Sequence, residues 1–218
     1  SSQIPQAEKK LHALWMPAAS PNAPVMLYLH GARWNVSGSV PRIRRMHSLG
    51  FSVLAVDYRG FGKSSSELPS ETSALEDARA AWNWLAQRAP RSDRFIFGHS
   101  LGGAVAIALA SQVNDERGTI VEGTFTSIAD VVGTFKWGWL PVSPLITQRF
   151  ESVRKVADIH SPLLVVHGSN DQLIPAALGR KLYDAAPGPK RFVLVEGGTH
   201  HNTNALGMAQ YRAELRNL

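Results

Sequence analysis

Phe97-Gly98-His99-Ser100-Leu101-Gly102-Gly103 decides how this chain folds. Asp93-Arg94-Phe95-Ile96-Phe97 leads into it, and Ala104-Val105-Ala106-Ile107-Ala108-Leu109-Ala110 follows. The order reads as a strand, a sharp Gly-x-Ser-x-Gly turn and a helix. Such a turn forces its central residue into a strained backbone conformation, so small residues flank it and the serine hydroxyl is left exposed at the tip. The bare pattern arises easily in a chain with 18 glycines, and its strand-to-helix context is what makes it informative. The helix is apolar all round, which predicts that it is buried.

Working outward, the upstream half alternates short apolar runs with helical periods. Leu11 to Met16 reads as a strand, followed by a turn through Pro17, Pro21 and Pro24. Val25 to Leu29 and Phe51 to Val56 are continuous apolar runs, the signature of strands buried on both faces. Between them a helix is expected from about Val40 to Leu49, with Pro41 in its first turn and Gly50 as its stop. From Glu71 to Ala89 the spacing of Leu75, Ala78, Trp82 and Leu85 keeps a helical period, closed by Pro90. Gly62-Lys63-Ser64 looks like the end of a phosphate-binding loop, but that motif needs a glycine where this chain has Asp57, which rejects it.

Downstream, Thr119 to Gly123, Pro162 to Gly168 and Arg191 to Val195 read as further strands. Helices are expected from about Ala176 to Ala186 and from Ala205 to Leu218. This alternation predicts a three-layer α/β domain, a mostly parallel sheet with helices on both faces, spanning residues 1–218 as one unit. The stretch 128–156 breaks it. Its Phe135, Trp137, Trp139 and Leu140 lie between two predicted strands, and a long insertion at such a point is usually functional, so it is read as a small cap.

Composition excludes several classes. The chain of 218 residues is 44% hydrophobic and 18% charged, ordinary for a globular domain. It has no cysteine, which rules out a cysteine nucleophile, a thiolate metal site and disulfides. The net charge of +6 is spread along the chain, with Arg42-Ile43-Arg44-Arg45 the only small cluster, so no nucleic-acid partner is expected. No run is long enough to span a membrane and no signal peptide is visible. The chain opens on Ser1-Ser2-Gln3 without an initiator Met, from which a removed anchor or export signal is expected. Cytoplasm and periplasm both stay open, and so does oligomeric state.

A serine needs a base to take its proton and an acid to orient that base. In a parallel sheet, ligands sit beyond the carboxyl ends of the strands, so the partners should follow strands directly. Asp171 follows the strand at 163–166, with Glu122 and Asp158 as competing carboxylates. His200 follows the strand at 192–195, with His201 beside it as the competing imidazole. His30, His99 and His167 lack metal-ligand spacing and are read as fixing strand-end loops.

On these residues the chain resembles the α/β-hydrolase superfamily, and within it the compact bud-emergence-protein-like serine hydrolases, often described as lysophospholipase-like or acyl-protein-thioesterase-like. The matching segments are His30-Gly31, Asp57 to Ser64, Gly98 to Ala106, Gly168 to Pro175 and Gly197 to His200. The resemblance implies a catalytic triad of Ser100, Asp171 and His200, with His201 a surface neighbour. It implies an oxyanion hole from the backbone N–H of Leu101 and of Ala32, with Arg33 the fallback. Ala32-Arg33-Trp34-Asn35 departs from the small and amide residues usual there, which suggests that Trp34 lines the pocket mouth. Residues before 25 are too few for the superfamily's usual opening strands, so the first edge of the sheet is expected to be incomplete.

The expected activity is hydrolysis of carboxylic esters with short to medium acyl chains, without cofactor or metal. Trp34, Phe135, Trp137 and Trp139 are expected to contact the small-molecule ester or thioester. The rivals are an acyl-protein thioesterase or lysophospholipase in peripheral contact with a membrane, a serine aminopeptidase-like peptidase, and a binding module without catalysis.

Overall fold

The computed structural model describes residues 2–6, 9–31, 39–58, 70–133 and 149–218, with side chains from Leu11 onward. Ala32, Arg33, Trp34 and Asn35 lie outside the described residues, as do residues 59–69 and 134–148, the latter with Phe135, Trp137 and Trp139.

The apolar runs pair into one eight-stranded sheet. Its strands are β1 (Ser2–Gln6), β2 (Lys9–Met16), β3 (Val25–Leu29), β4 (Ser52–Asp57), β5 (Arg94–His99), β6 (Gly118–Glu122), β7 (Leu163–Gly168) and β8 (Lys190–Val195). The spatial order is β1-β2-β4-β3-β5-β6-β7-β8. β3 to β8 are mutually parallel, β2 runs antiparallel to β4, and β1 antiparallel to β2.

The helices are α1 (Val40–Ser48), α2 (Glu71–Arg88), α3 (Leu101–Ala110), α4 (Ile128–Gly133), α5 (Ser152–Lys155), α6 (Ala176–Ala185), α7 (Thr203–Leu206) and α8 (Met208–Leu215). Local chemistry sets several ends. Pro41 sits in the first turn of α1, and Ser70 caps α2 by accepting a hydrogen bond from Ser73 N at 3.0 Å.

Successive strand residues point to opposite faces, so continuous apolar runs build two cores. Met26, Tyr28, Val53, Ala55, Phe97, Ile120 and Val166 pack with Ile43 and Met46 of α1 and Tyr211 of α8. Val25, Leu27, Leu29, Val56, Ile96, Val121 and Val165 pack under Trp82 and Leu85 of α2 and the whole of α3. All ten residues of α3 are buried, because it lies between the sheet and α2. The fold is the three-layer α/β arrangement with a mostly parallel sheet.

Two expectations are corrected. The first edge of the sheet is complete: the backbone of Ser2–Gln6 pairs with Lys9–Ala13, a hairpin too short and too polar to announce itself by apolar alternation. The C-terminal helix is not continuous from 205 to 218. It breaks at Gly207, where a Cβ would lie 2.9 Å from Val195 Cγ2 and 3.0 Å from Thr203 O, so the chain passes too close to β8 for any other residue. The strand read at 191–195 spans Lys190–Val195. As β8 it forms the sheet edge, with Val193 and Val195 buried and Leu194 exposed.

Register brings five strand ends together. Gly98 of β5 pairs with Leu29 of β3 and Val121 of β6, His99 with Glu122, and Gly168 of β7 with Val195 of β8. The loops carrying residues 30–31, 100, 123, 171 and 200 therefore leave the sheet side by side. The excursion after β6 is closed at its neck, where Ile128 N donates to Arg149 O at 3.0 Å and Val153 N to Thr126 O at 3.1 Å.

Candidate active site

Ser100 sits between β5 and α3 at φ 57°, ψ −123°, a conformation that non-glycine residues rarely adopt. The surrounding glycines allow it. A Cβ on Gly98 would lie 2.1 Å from Gly102 O, and one on Gly102 would lie 2.0 Å from Leu29 O, so both positions exclude any side chain. Ser100 N donates to Glu122 O at 3.0 Å, and Ser100 O accepts from Thr124 Oγ1 at 2.9 Å. The serine is only 2% exposed, where the turn was expected to leave it open. It lies on a floor against Gly31, whose added Cβ would stand 3.2 Å from Ser100 Cβ. Leu101 opens α3, and N–H groups of a helix's first turn have no acceptor within the helix.

Asp171 and His200 meet in the adjacent loops. His200 Nδ1 lies 2.8 Å from Asp171 Oδ2. The second carboxylate oxygen, Oδ1, accepts from Leu173 N at 3.0 Å and Ile174 N at 2.8 Å. Burial pushes the Asp171 carboxyl upward, but hydrogen bonds from His167 and His200, the charge of His200 and the Ile174 N–H outweigh it and hold it well below the usual carboxylate range. The group is thus a fixed anion that accepts from the imidazole, leaving Nε2 on the opposite edge of the ring.

The competitors lie elsewhere. Asp158 is exposed, and His201 is exposed and meets the His200 ring edge-on at 5.3 Å. Glu122 is fully buried, its carboxylate taken by Arg42 Nε at 3.1 Å, Asn204 Nδ2 at 3.0 Å and Tyr211 OH at 2.6 Å.

The three other strand-end histidines each place a ring nitrogen on a carbonyl. His30 Nδ1 is 2.7 Å from Gly31 O, His99 Nε2 is 3.0 Å from His200 O, and His167 Nε2 is 2.7 Å from Ile174 O. A carbonyl can only accept, so each of those nitrogens carries the proton. Burial, together with the positive charges of Arg42 and His200, drives the His99 pKa well below the usual value.

The structure therefore brings Asp171 and His200 into contact beside the Ser100 elbow, with Leu101 directly after it. Ala32, Trp34, Phe135, Trp137 and Trp139 lie outside the described residues. Sequence reasoning missed Arg42, Asn204 and Tyr211 as members of the site's surroundings. The signals were slight: Glu122 ends an otherwise apolar strand, and Arg42 falls four residues before Met46 on the apolar face of α1. Among the described residues no cluster of three His, Asp or Glu side chains could hold a metal ion, and no helix is long and apolar enough to cross a membrane.

The fold and the elbow define an α/β hydrolase. Est1E from Butyrivibrio proteoclasticus, solved with ferulic acid bound, superposes with a TM-score of 0.84 at 18% identity, over 100% of this chain and 98% of that one. The acylaminoacyl peptidase of Pyrococcus horikoshii gives 0.74 at 16% identity, over 99% of this chain and 40% of that one.

Residues 20–152 match the family model described as Serine aminopeptidase, S33, and the chain belongs to that hydrolase family. An uncharacterized protein of Mycobacterium tuberculosis is 37% identical over 187 residues, covering 85% of this chain and 66% of that protein. The lysophosphatidylserine lipase ABHD12 of Danio rerio is 36% identical over 182 residues, covering 75% of this chain and 47% of the lipase. The chain thus spans about half to two thirds of the length of these curated relatives.

Proposed function

We propose that the protein is a serine hydrolase that cleaves carboxylic esters through an acyl-enzyme, with Ser100 as nucleophile, His200 as base and Asp171 as its orienting acid. The observation that carries this reading is the 2.8 Å contact of His200 Nδ1 with Asp171, beside a serine held at φ 57° on the end of β5. Asp171 fixes the tautomer with the proton on Nδ1, so Nε2 takes the Ser100 proton as Oγ attacks the carbonyl carbon. The imidazolium then returns that proton to the departing alcohol as its C–O bond breaks. A water, deprotonated by the same nitrogen, attacks the acyl-Ser100 carbonyl and releases the acid and the serine.

The negative oxygen of each tetrahedral intermediate needs preorganised donors. Leu101 N–H at the start of α3 is one, aided by the helix dipole. Ala32 N–H is assigned the second. The stretch 128–156, as a small cap on a single domain, together with Trp34, would bound the acyl site through Phe135, Trp137 and Trp139. Its small size favours short to medium acyl chains. The likeness to a lysophosphatidylserine lipase supports ester over amide substrates and keeps a lipid ester or thioester at a membrane surface within the class.

Fluorophosphonate labelling tests the reading. The folded protein should label at one site and hydrolyse nitrophenyl esters, and Ser100→Ala should do neither. Equal labelling of the two would sink it. A peptidase is the second reading, favoured by the family description. Faster hydrolysis of aminoacyl nitroanilides than of nitrophenyl esters would select it. A chain-length series of acyl esters with one thioester then defines the substrate.

A further inference from the structure

Glu122 is a buried carboxylate for which the hydrolytic reading has no use, and its surroundings point back at the base. Its two oxygens receive Arg42 Nε, Asn204 Nδ2 and Tyr211 OH, from α1, α7 and α8. Arg45 Nε in turn holds Asn204 Oδ1 at 2.7 Å. His99 Nε2 stands 3.8 Å from Glu122 Oε2 and donates to the carbonyl of His200 at 3.0 Å. Arg42 Nη2 donates to the next carbonyl, that of His201, at 3.4 Å. Two consecutive carbonyls of the base-bearing loop are thus gripped by donors that lie against one carboxylate, Arg42 bonded to it and His99 facing it at 3.8 Å.

The neighbouring geometry points the same way. The His99 and His200 rings lie 4.8 Å apart at 36°. Gly123, directly after Glu122, has φ +59°, and a Cβ there would stand 3.3 Å from His200 Nδ1 and 3.5 Å from Asp171 Oδ2. The end of β6 is therefore a floor on which the Asp171–His200 pair rests. A side chain at 123 would press against the imidazole and strain the backbone at its positive φ.

We propose that Glu122, through Arg42 and His99, is a positioning device for the general base, which fixes the backbone of residues 200–201 so that the His200 ring faces both Asp171 and Ser100. This rests on the hydrolytic reading of Ser100, Asp171 and His200. The arrangement has a physical rationale. The Glu122 carboxylate offsets part of the Arg42 charge, so the network grips the loop with less positive charge opposing the imidazolium formed in catalysis than Arg42 alone would bring. Breaking one partner leaves a buried charge unmatched, so the pieces act together. A misplacement of the base on the order of 1 Å costs about 100-fold in rate.

The experiment compares Glu122→Gln, His99→Leu, His99→Gln and Arg42→Lys with wild type on nitrophenyl acetate, with kcat normalised to the sites titrated by a fluorophosphonate. Glu122→Gln and His99→Leu should lower kcat per titrated site about 10- to 100-fold with KM within about twofold. His99→Gln, whose side-chain amide N–H can still donate to the His200 carbonyl, should recover most of the loss. Arg42→Lys keeps the charge but cannot bond Glu122 and the His201 carbonyl together, and should fall in between. It carries the test if Glu122→Gln does not fold. A merely structural role would reduce the titrated fraction and leave kcat per site unchanged, which overturns the proposal. So does a glutamine at 99 no better than leucine. A wild type that neither labels nor turns over would instead overturn the hydrolytic reading itself, and the positioning role with it.

Discussion

The two halves of the candidate site are held in place by different means. The Ser100 elbow is fixed mainly by backbone: missing Cβ atoms at Gly98 and Gly102, a main-chain hydrogen bond to Glu122 O, one that Ser100 O accepts from the Thr124 hydroxyl, and the start of a buried helix. The His200 loop is fixed by side chains, with Asp171, His99 and Arg42 reaching it from the loop after β7, from β5 and from α1. A turn held by steric exclusion leaves a local signature in the sequence. A loop held by partners 29, 101 and 159 residues away does not.

That difference predicts where each half breaks. The largest effect belongs to the elbow's glycines. Gly102→Ala would drive a methyl onto the Leu29 carbonyl at 2.0 Å, in a place where strand and helix cannot separate without opening the core. Loss of soluble folded protein is expected, beyond the ~4–5 kcal/mol that marks exceptional substitutions. A Gly102→Ala protein that melts within a few degrees of wild type would refute the steric account.

Asp171→Asn should come next, in activity rather than stability. The amide keeps the size of the side chain, but with Oδ1 still accepting from Leu173 N and Ile174 N it turns an NH2 toward His200, forcing the wrong tautomer. A fall in kcat of about 10⁴-fold is expected on ester substrate. Activity within tenfold of wild type would mean that another group orients the base.

Ser100→Gly separates catalysis from strain. The serine at φ 57°, ψ −123° stores about 1–3 kcal/mol, and glycine releases it while adding about 0.4–1 kcal/mol of unfolded-state entropy. The variant should lose activity yet gain about 1 kcal/mol of stability by denaturant melting. Ser100→Ala, which keeps a Cβ and hence the strain, should stay near wild type. If Ser100→Gly is the less stable of the two, the elbow is not strained.

The same contrast explains what could be read in advance. The parallel sheet, the elbow and the pairing of Asp171 with His200 were legible because each rests on a local pattern: continuous apolar runs, flanking glycines, or a titratable residue directly after a strand. The Ser2–Gln6 hairpin was not, since its pairing is backbone to backbone and its residues carry no apolar alternation. The need for a glycine at 207 follows from the nearness of Val195, a tertiary fact. Glu122 was weighed only as a competing triad acid, because its partners Arg42, Asn204 and Tyr211 converge from three helices that only the folded sheet assembles.

His99 stands next to the elbow and reaches the base loop, and it makes that loop's support sensitive to pH. It is buried, donates to the His200 carbonyl and faces Arg42, Glu122, His200 and His201. Burial, then the charges of Arg42 and His200, hold its pKa well below the unfolded value of about 6.5. The unfolded chain therefore binds a proton that the folded one refuses, and folding stability falls as pH drops below about 6.5. One such histidine contributes a slope of up to about 1.4 kcal/mol per pH unit. His30, whose pKa is lowered by burial against the opposing Gly31 carbonyl and Asp57, adds to it in the same direction. Asp171, depressed below its own unfolded value, gives stability that is present above about pH 4 and lost only at lower pH, so it stays out of the window from pH 5 to 6.5. His99→Gln should be less stable than wild type at pH 8, where the imidazole makes its contacts at no protonation cost, and the two melting curves should converge toward pH 5. Curves that stay parallel across that window would mean that His99 binds protons equally in the folded and unfolded chain, and that burial does not depress its pKa.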